Sequence, residues 1–403
     1  MFSAFTSLTR RQRNAFFAAL CGWSLDAFDF FIFVFCLKSI SVEFRTDVKA
    51  VAEGIFLTLA FRPVGALVFG WLAEKYGRRP ILMANVISFS VVEFASAFAP
   101  NLVTLLFLRA LFGFAMGGEW GVGAALALET LPARGRGLFS GLLQEGYALG
   151  YLLASIVFGY LFDRIGWRGM FLVGGAPALL AVFISMRVEE SPTWIAGRTP
   201  ERASLRQISA AVRAYLPTLL FLIVLMACFN AFSHGSQDLY PTFLQVQLGM
   251  SARTAGNIAI VMNLGALCGG IAFGMLSERI GRRRAIVLAA VLALPVIPLW
   301  AFSQTAALLA AGGFLMQFMV QGAWGVIPAH LTELAPASVR AILPGFAYQL
   351  GNLAMSKMGP FQAGIAEAHG GNYAHVLAWT IGLAAAALIL ATSLSPEAHA
   401  KTL

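Results

Sequence analysis

Asn230, Ser233, His234, Ser236, Gln237, Asp238 and Thr242 place seven hydrogen-bonding or titratable side chains within thirteen residues of an apolar run. Asn230, His234, Asp238 and Thr242 recur every fourth residue, with Ser233 and Gln237 beside them, so on a helix they share one face. His234 and Asp238, one turn apart, form a pair able to change charge near neutral pH, which is what moving a proton requires. A lone histidine in an apolar helix is more often a hydrogen-bonded packing residue. Six polar groups on one face call for a wet cavity instead.

Other charges also interrupt apolar runs. A charge in the hydrocarbon core costs roughly 2.5–3.5 kcal/mol on insertion scales, so each is a functional candidate. At 1.5 Å of rise per residue, Arg62 lies about 18 Å from Glu74, and Asp26 about 20 Å from Arg13. Asn230 stands at a similar level beyond Pro217. All three fall near the middle of a roughly 30 Å hydrocarbon layer. Arg62 offers a carboxylate a bidentate fork and keeps its charge; a structural ion pair with Asp26, Asp29 or Glu93 is the competing reading. Arg109, eight residues into its run, falls nearer a membrane boundary. Glu119, Glu145 and Lys357 are expected to pair among themselves.

These residues need membrane-spanning elements to hold them. Of the 403 residues, 59% are hydrophobic and 12% charged, with a mean hydropathy of +0.77, too greasy for a soluble domain. Apolar runs predict an all-α polytopic membrane protein with twelve transmembrane helices. They fall near 14–39, 50–73, 81–99, 101–130, 137–161, 167–187, 214–244, 253–276, 285–302, 305–332, 341–365 and 373–394. Residues 1–187 and 214–403 then form two six-helix bundles, and 188–213 a cytoplasmic linker. Most Lys and Arg fall in segments on one side, including both ends, which predicts cytoplasmic termini in a cytoplasmic (inner) membrane. Topology and anionic lipid account for the net charge of +9, so nucleic acid is not a partner. The first run reads as an anchor and not a removed signal. Cys21, Cys36, Cys228 and Cys268 stand singly and read as small packing residues.

The chain also repeats itself at an offset of 204. Gly70-x3-Glu74-Lys75-x-Gly77-Arg78-Arg79 returns as Gly274-x3-Glu278-Arg279-x-Gly281-Arg282-Arg283. Trp120-Gly121-Val122 returns as Trp324-Gly325-Val326, Glu129 as Glu333, Pro132 as Pro336, Arg136 as Arg340 and Gly141 as Gly345. Glycine permits close helix approach, and the arginines can bridge to acids such as Glu129 and Glu333, so the duplicated elements read as gating latches. Simple positive-inside anchoring is the alternative. The polar residues break the symmetry: Asp26 and Asp29 become Asn230 and Ser233, and Arg62 becomes Ala266.

The paired loops resemble the signature of the major facilitator superfamily, with glutamate at Glu74 and Glu278 where aspartate is usual. The resemblance implies two pseudo-symmetric six-helix bundles that rock about a central cavity. Arg109-x3-Gly113-x3-Gly117 matches the superfamily's helix-four motif, which implies a coupling role for Arg109. The thirteen-residue string resembles the signature of the lactate and pyruvate:proton symporters, in the sialate:proton symporter branch. Phe61-Arg62-x2-Gly65-Ala66 and Asp26-Ala-Phe-Asp29 also resemble that family's second and first helices.

The expectation is proton-coupled symport of a short-chain monocarboxylate by alternating access. Arg62, Asn230, Ser233, His234 and Gln237 would bind substrate, and Asp26, Asp29, His234, Asp238 and Arg109 would couple protons. Gly70, Glu74, Gly77, Arg78, Gly274, Glu278, Gly281, Arg282, Glu129 and Glu333 would gate. A small carboxylate, protons and the lipid bilayer are the expected partners of a monomer. A sialic acid or aromatic-acid:proton symporter is the rival. Sialic acid symporters, as that family is known, carry extra helices between the halves, for which 188–213 has no room, and the string in the seventh run is not that of the aromatic-acid carriers. Scattered histidines and cysteines without H-E-x-x-H offer no catalytic or metal constellation, so neither an enzyme nor a cofactor is expected. A nutrient sensor would be expected to carry a long cytosolic tail.

Overall fold

The computed structural model describes residues 8–131, 139, 142–196, 214–334 and 343–395, and among these the regular structure is helical. Chain order gives α1 (Arg10–Glu43), α2 (Val48–Tyr76), α3 (Arg78–Ser96), α4 (Leu102–Thr130), α5 (Gly146–Val173) and α6 (Ala178–Arg187). After a short helix at Pro192–Ala196 come α7 (Leu216–Gln237), α8 (Ala252–Ile280), α9 (Arg282–Ala293), α10 (Ala306–Leu334), α11 (Leu343–Met355) and α12 (Tyr373–Ser393). Side-chain caps set several starts. Thr9 and Gln12 form a reciprocal capping box, and Asp47, Asn101 and Ser251 each accept the amide three residues on. Each such cap is worth about 1 kcal/mol.

Nine helical stretches among the described residues are long and apolar enough to cross a membrane. The more polar α3, the short α6 and the broken α11 complete the twelve passes. Large apolar side chains such as Val103 (77% exposed), Leu179 (72%) and Leu67 (62%) cover the outside, a surface that only lipid satisfies. The chain is a multi-pass membrane protein of two six-helix halves.

Several passes are less regular than the apolar runs suggest. α5 turns at Gly166 (φ 61°, ψ −176°), so 167–173 belongs with α6 to the sixth pass, which breaks again at 174–177. Proline interrupts three others. Pro241 cannot donate to Gln237, and α7 ends there before resuming at Tyr240–Thr242 and a π-turn at Phe243–Gln247. Pro298 follows a 3₁₀ turn at Leu294–Val296, and Pro360 follows a break at 356–357 before Met358–Ala368. The same rule is overridden at Pro63 and Pro328, which sit in continuous helices.

The duplicated loops keep the same backbone. Gly77 (φ 114°, ψ 156°) and Gly281 (φ 96°, ψ 154°) each turn one helix directly into the next, a conformation that strains any other residue. Gly70 does not act as a close-packing residue, because a Cβ there would meet nothing within 4 Å, and at Gly274 it would touch only the Gly325 carbonyl, at 3.7 Å. Close approach is made elsewhere. A Cβ at Gly117 would lie 2.0 Å from the Arg62 carbonyl, and one at Gly269 would lie 2.0 Å from that of Phe318. Small residues therefore bring α2 against α4 and α8 against α10, as membrane helix pairs require.

The four cysteines are free. Cys36 is buried packing as expected, whereas Cys21 and Cys268 are exposed on helix surfaces, which corrects that expectation for these two. The repeat positions Pro132, Arg136, Gly141, Pro336 and Arg340, and linker residues 197–213, lie outside the described residues.

Candidate functional site

A central pocket between the halves is lined by Arg62 of α2, Gln144 just before α5, Tyr147 at its start, Asn230, Ser233 and His234 of α7, Gln321 and Trp324 of α10, and Tyr348 of α11. Arg62 is the cation of this lining. It is 1% exposed, and its Nε and Nη2 groups lack a hydrogen-bond partner. Among the described residues it has no acid within ion-pair distance, so the expected alternative of a pair with Asp26, Asp29 or Glu93 is not what forms. The Trp23 ring lies 5.7 Å from its Cζ and supports the guanidinium by a cation–π contact. A desolvated guanidinium in a pocket wall, with N–H groups left unpaired, has the chemistry to receive an anion.

His234 faces the pocket, and its Nδ1 lies 3.1 Å from Asp238 Oδ2 and 3.2 Å from Oδ1. Asp238 is 1% exposed and lies behind the histidine, outside the lining. Gln237 also stands back, donating to Ser233 Oγ at 2.8 Å, so it acts on the pocket through that serine. The predicted single face thus divides at the Pro241 break. Asn230, Ser233 and His234 reach the pocket, while Thr242 is displaced and its hydroxyl is buried without a partner. Ser236 turns the other way, donating to the Ser233 carbonyl and accepting from Gln317 of α10.

Arg109 is placed differently from Arg62. It donates to Glu93 Oε2 and Ser96 Oγ, both at 2.6 Å, and packs on Phe112 and Phe171. That cluster lies inside the first half, with Asp29 nearby: a Cβ at Gly174 would meet both Glu93 and Asp29. Glu119, Glu145 and Lys357 do not pair with one another. Lys357 binds Glu53 at 2.9 Å, and the Glu145 carboxylate lies against Gly270 of the other half.

The arginine loops are held by carboxylates. Arg78 Nη2 binds Glu74 at 2.6 Å and Glu129 at 3.2 Å, and Arg282 binds Glu333 at 3.3 Å. The first half has an addition that sequence reasoning missed. Glu190, from the linker, accepts the backbone amides of Arg78 and Arg79, capping α3 where the helix dipole favours an anion. At the opposite end the halves are joined. Lys38 donates to the Gln245 carbonyl at 2.7 Å, and Glu367 accepts the Lys49 amide at 3.1 Å.

Gln144, Tyr147, Gln321, Trp324 and Tyr348 were not anticipated as lining residues. The repeat held a signal for three of them: Gln144 and Tyr348 are equivalent at the 204-residue offset, as are Trp120 and Trp324. Trp120 stacks on Tyr348 at 5.8 Å, and Trp324 meets the same ring edge-on.

Two pseudo-symmetric bundles, each with a matched arginine–carboxylate pair at the same end and together enclosing a polar pocket, have the architecture of a secondary membrane transporter. The Major Facilitator Superfamily family model matches residues 19–237 and 239–402, and the chain belongs to that superfamily. It is 30% identical over 385 residues to a carboxylic acid transporter protein homolog of Saccharomyces cerevisiae, covering 89% of this chain and 62% of that one. It is 32% identical to a probable 4-methylmuconolactone transporter of Cupriavidus pinatubonensis (87% and 83% covered), and 28% identical to the sialic acid transporter NanX of Escherichia coli (84% of each). Its fold is similar to that of the xylose transporter XylE from E. coli in a partially occluded inward-open conformation. There the TM-score is 0.78 at 18% identity, over 98% of this chain and 100% of that one. The protein is a transporter and not an enzyme.

Proposed function

We propose that the protein is a proton-coupled symporter of short-chain monocarboxylates of the lactate, pyruvate and acetate type. The observation that carries this reading is Arg62, buried in the pocket wall with unpartnered N–H groups, across from a histidine–aspartate pair. The carboxylate docks on Arg62. Asn230 and Ser233, steadied by Gln237, offer hydrogen bonds to the rest of the molecule, and a proton is taken up by His234/Asp238 or by the acids of α1. Residues 1–187 and 214–403 rock about the pocket as rigid halves. The ion pairs of Arg78 with Glu74 and Glu129, and of Arg282 with Glu333, each within its own half, hold the loops at the end we assign to the cytoplasm and change partners as that end closes and opens. Relatives named for a carboxylic acid and for sialic acid support an acidic substrate.

Sialic acid remains the second reading, since the NanX relative is named for it. Competition separates the two in proteoliposomes. Acetate and pyruvate in tenfold excess are expected to suppress radiolabelled lactate uptake, and sialic acid to leave it unchanged. Inhibition by sialic acid alone would transfer the assignment to the larger acid.

A further inference from the structure

Glu119 of α4 is fully buried, and neither of its carboxylate oxygens has a hydrogen-bond partner. Its Oε1 occupies the space that a side chain at Gly22 of α1 would need, 2.2 Å from an ideal Cβ there. Gly22 is the notch that admits it. Asp26 stands one turn further along α1, on the same face, also fully buried with both oxygens unpartnered. Arg62 of α2 lies beside this stretch of α1: its Cζ is 5.7 Å from the ring of Trp23, which stands between Gly22 and Asp26 in the chain. The other titratable neighbours are Cys21 beside Glu119, and Glu93 and Asp29 further along toward Arg109. Glu93 is already committed to Arg109.

Two carboxylates and one guanidinium sum to one negative charge when all are ionised. An uncompensated charge at this depth is costly, so the empty trio holds one proton between its two acids. A monovalent anion docking on Arg62 restores the excess negative charge, and the second acid then binds a proton as well. Neutrality ties one proton to each anion.

We propose that Asp26 and Glu119 are interchangeable counter-charges of Arg62, and that this pair stores the proton that travels with the anion. The inference rests on reading the pocket as a proton-coupled anion site. The proton leaves water on the entry side and bonds to the carboxylate oxygen that had balanced Arg62. It returns to water on the exit side as the anion departs, and no other bond changes. His234, in the pocket lining, is the group that meets the proton on its way.

Proteoliposomes containing the full chain test this. Asp26→Asn and Glu119→Gln singly are expected to slow pH-driven lactate uptake by less than about tenfold and leave it gradient-driven, because one counter-charge remains. The double variant is expected to lose net uptake while retaining lactate–lactate exchange, because the anion itself now balances Arg62 and the empty carrier cannot return. Its thermal stability in detergent should drop without lactate and recover when Arg62→Gln is added. Loss of gradient-driven uptake in either single variant, net uptake in the double, or a triple variant no more stable than the double overturns the proposal. Wild-type uptake that ignores the pH gradient would instead refute the reading beneath it.

Discussion

Arg62→Lys raises the half-saturating lactate concentration by about tenfold to a hundredfold, with maximal uptake changed far less. The positive charge is kept, so long-range attraction for the anion and the charge balance with Asp26 and Glu119 are kept too. What goes is the planar fork, which presents parallel N–H groups to both oxygens of a carboxylate. A hydrogen bond to a charged group is worth roughly 1.5–3 kcal/mol, and each 1.4 kcal/mol is a factor of ten in affinity. Lysine also loses the flat contact over Trp23, where the Arg62 Cζ lies 5.7 Å from the ring. Saturation curves for lactate uptake measure the effect. A normal half-saturating concentration in Arg62→Lys would show that charge alone binds substrate.

The second large effect is at His234. Histidine is the side chain whose ordinary titration falls between pH 5 and 8, and this one faces the pocket with a buried carboxylate behind it. In hydrogen-bond contact with Asp238, it can hand a proton between the pocket and that carboxylate. His234→Ala removes that relay and strands Asp238, which is 1% exposed, and breaking a buried pair typically costs about 3–5 kcal/mol. His234→Gln separates coupling from folding, because the amide still donates to Asp238 and does not titrate. Both variants are expected to slow uptake by about tenfold or more, and the glutamine protein should remain folded. In both, uptake should respond less steeply to an imposed pH gradient, since the side chain that meets the proton in the pocket is gone. An unchanged pH profile in His234→Gln would remove His234 from proton coupling.

Much of this arrangement is legible in the residues because a membrane leaves few options. Charges such as Arg62 and Asp26 must have a function or a partner, and the 204-residue repeat fixes two halves and their matching turns. The turn conformations of Gly77 and Gly281 follow from the repeated glycine. Three features escaped, two of them because they depend on tertiary partners. Arg109 and Arg62 look alike as lone arginines in apolar runs. Only packing shows that Arg109 is consumed by Glu93 and Ser96, whereas Arg62 faces the pocket. Asp238 and Thr242 belong to a perfect four-residue spacing, yet Pro241 frees the Gln237 carbonyl and breaks the face they seemed to share. That break is local, set by a proline that lies within the polar stripe itself. Glu190 capped a helix more than a hundred residues away, and nothing local in its linker marks it for that role.

The most direct test is radiolabelled lactate uptake into proteoliposomes containing the purified protein, with an acid-outside pH gradient imposed and then collapsed by a protonophore. The predicted result is accumulation above equilibrium that rises with the gradient and disappears when it collapses. Uptake that only equilibrates, at a rate indifferent to the gradient, would contradict proton-coupled symport.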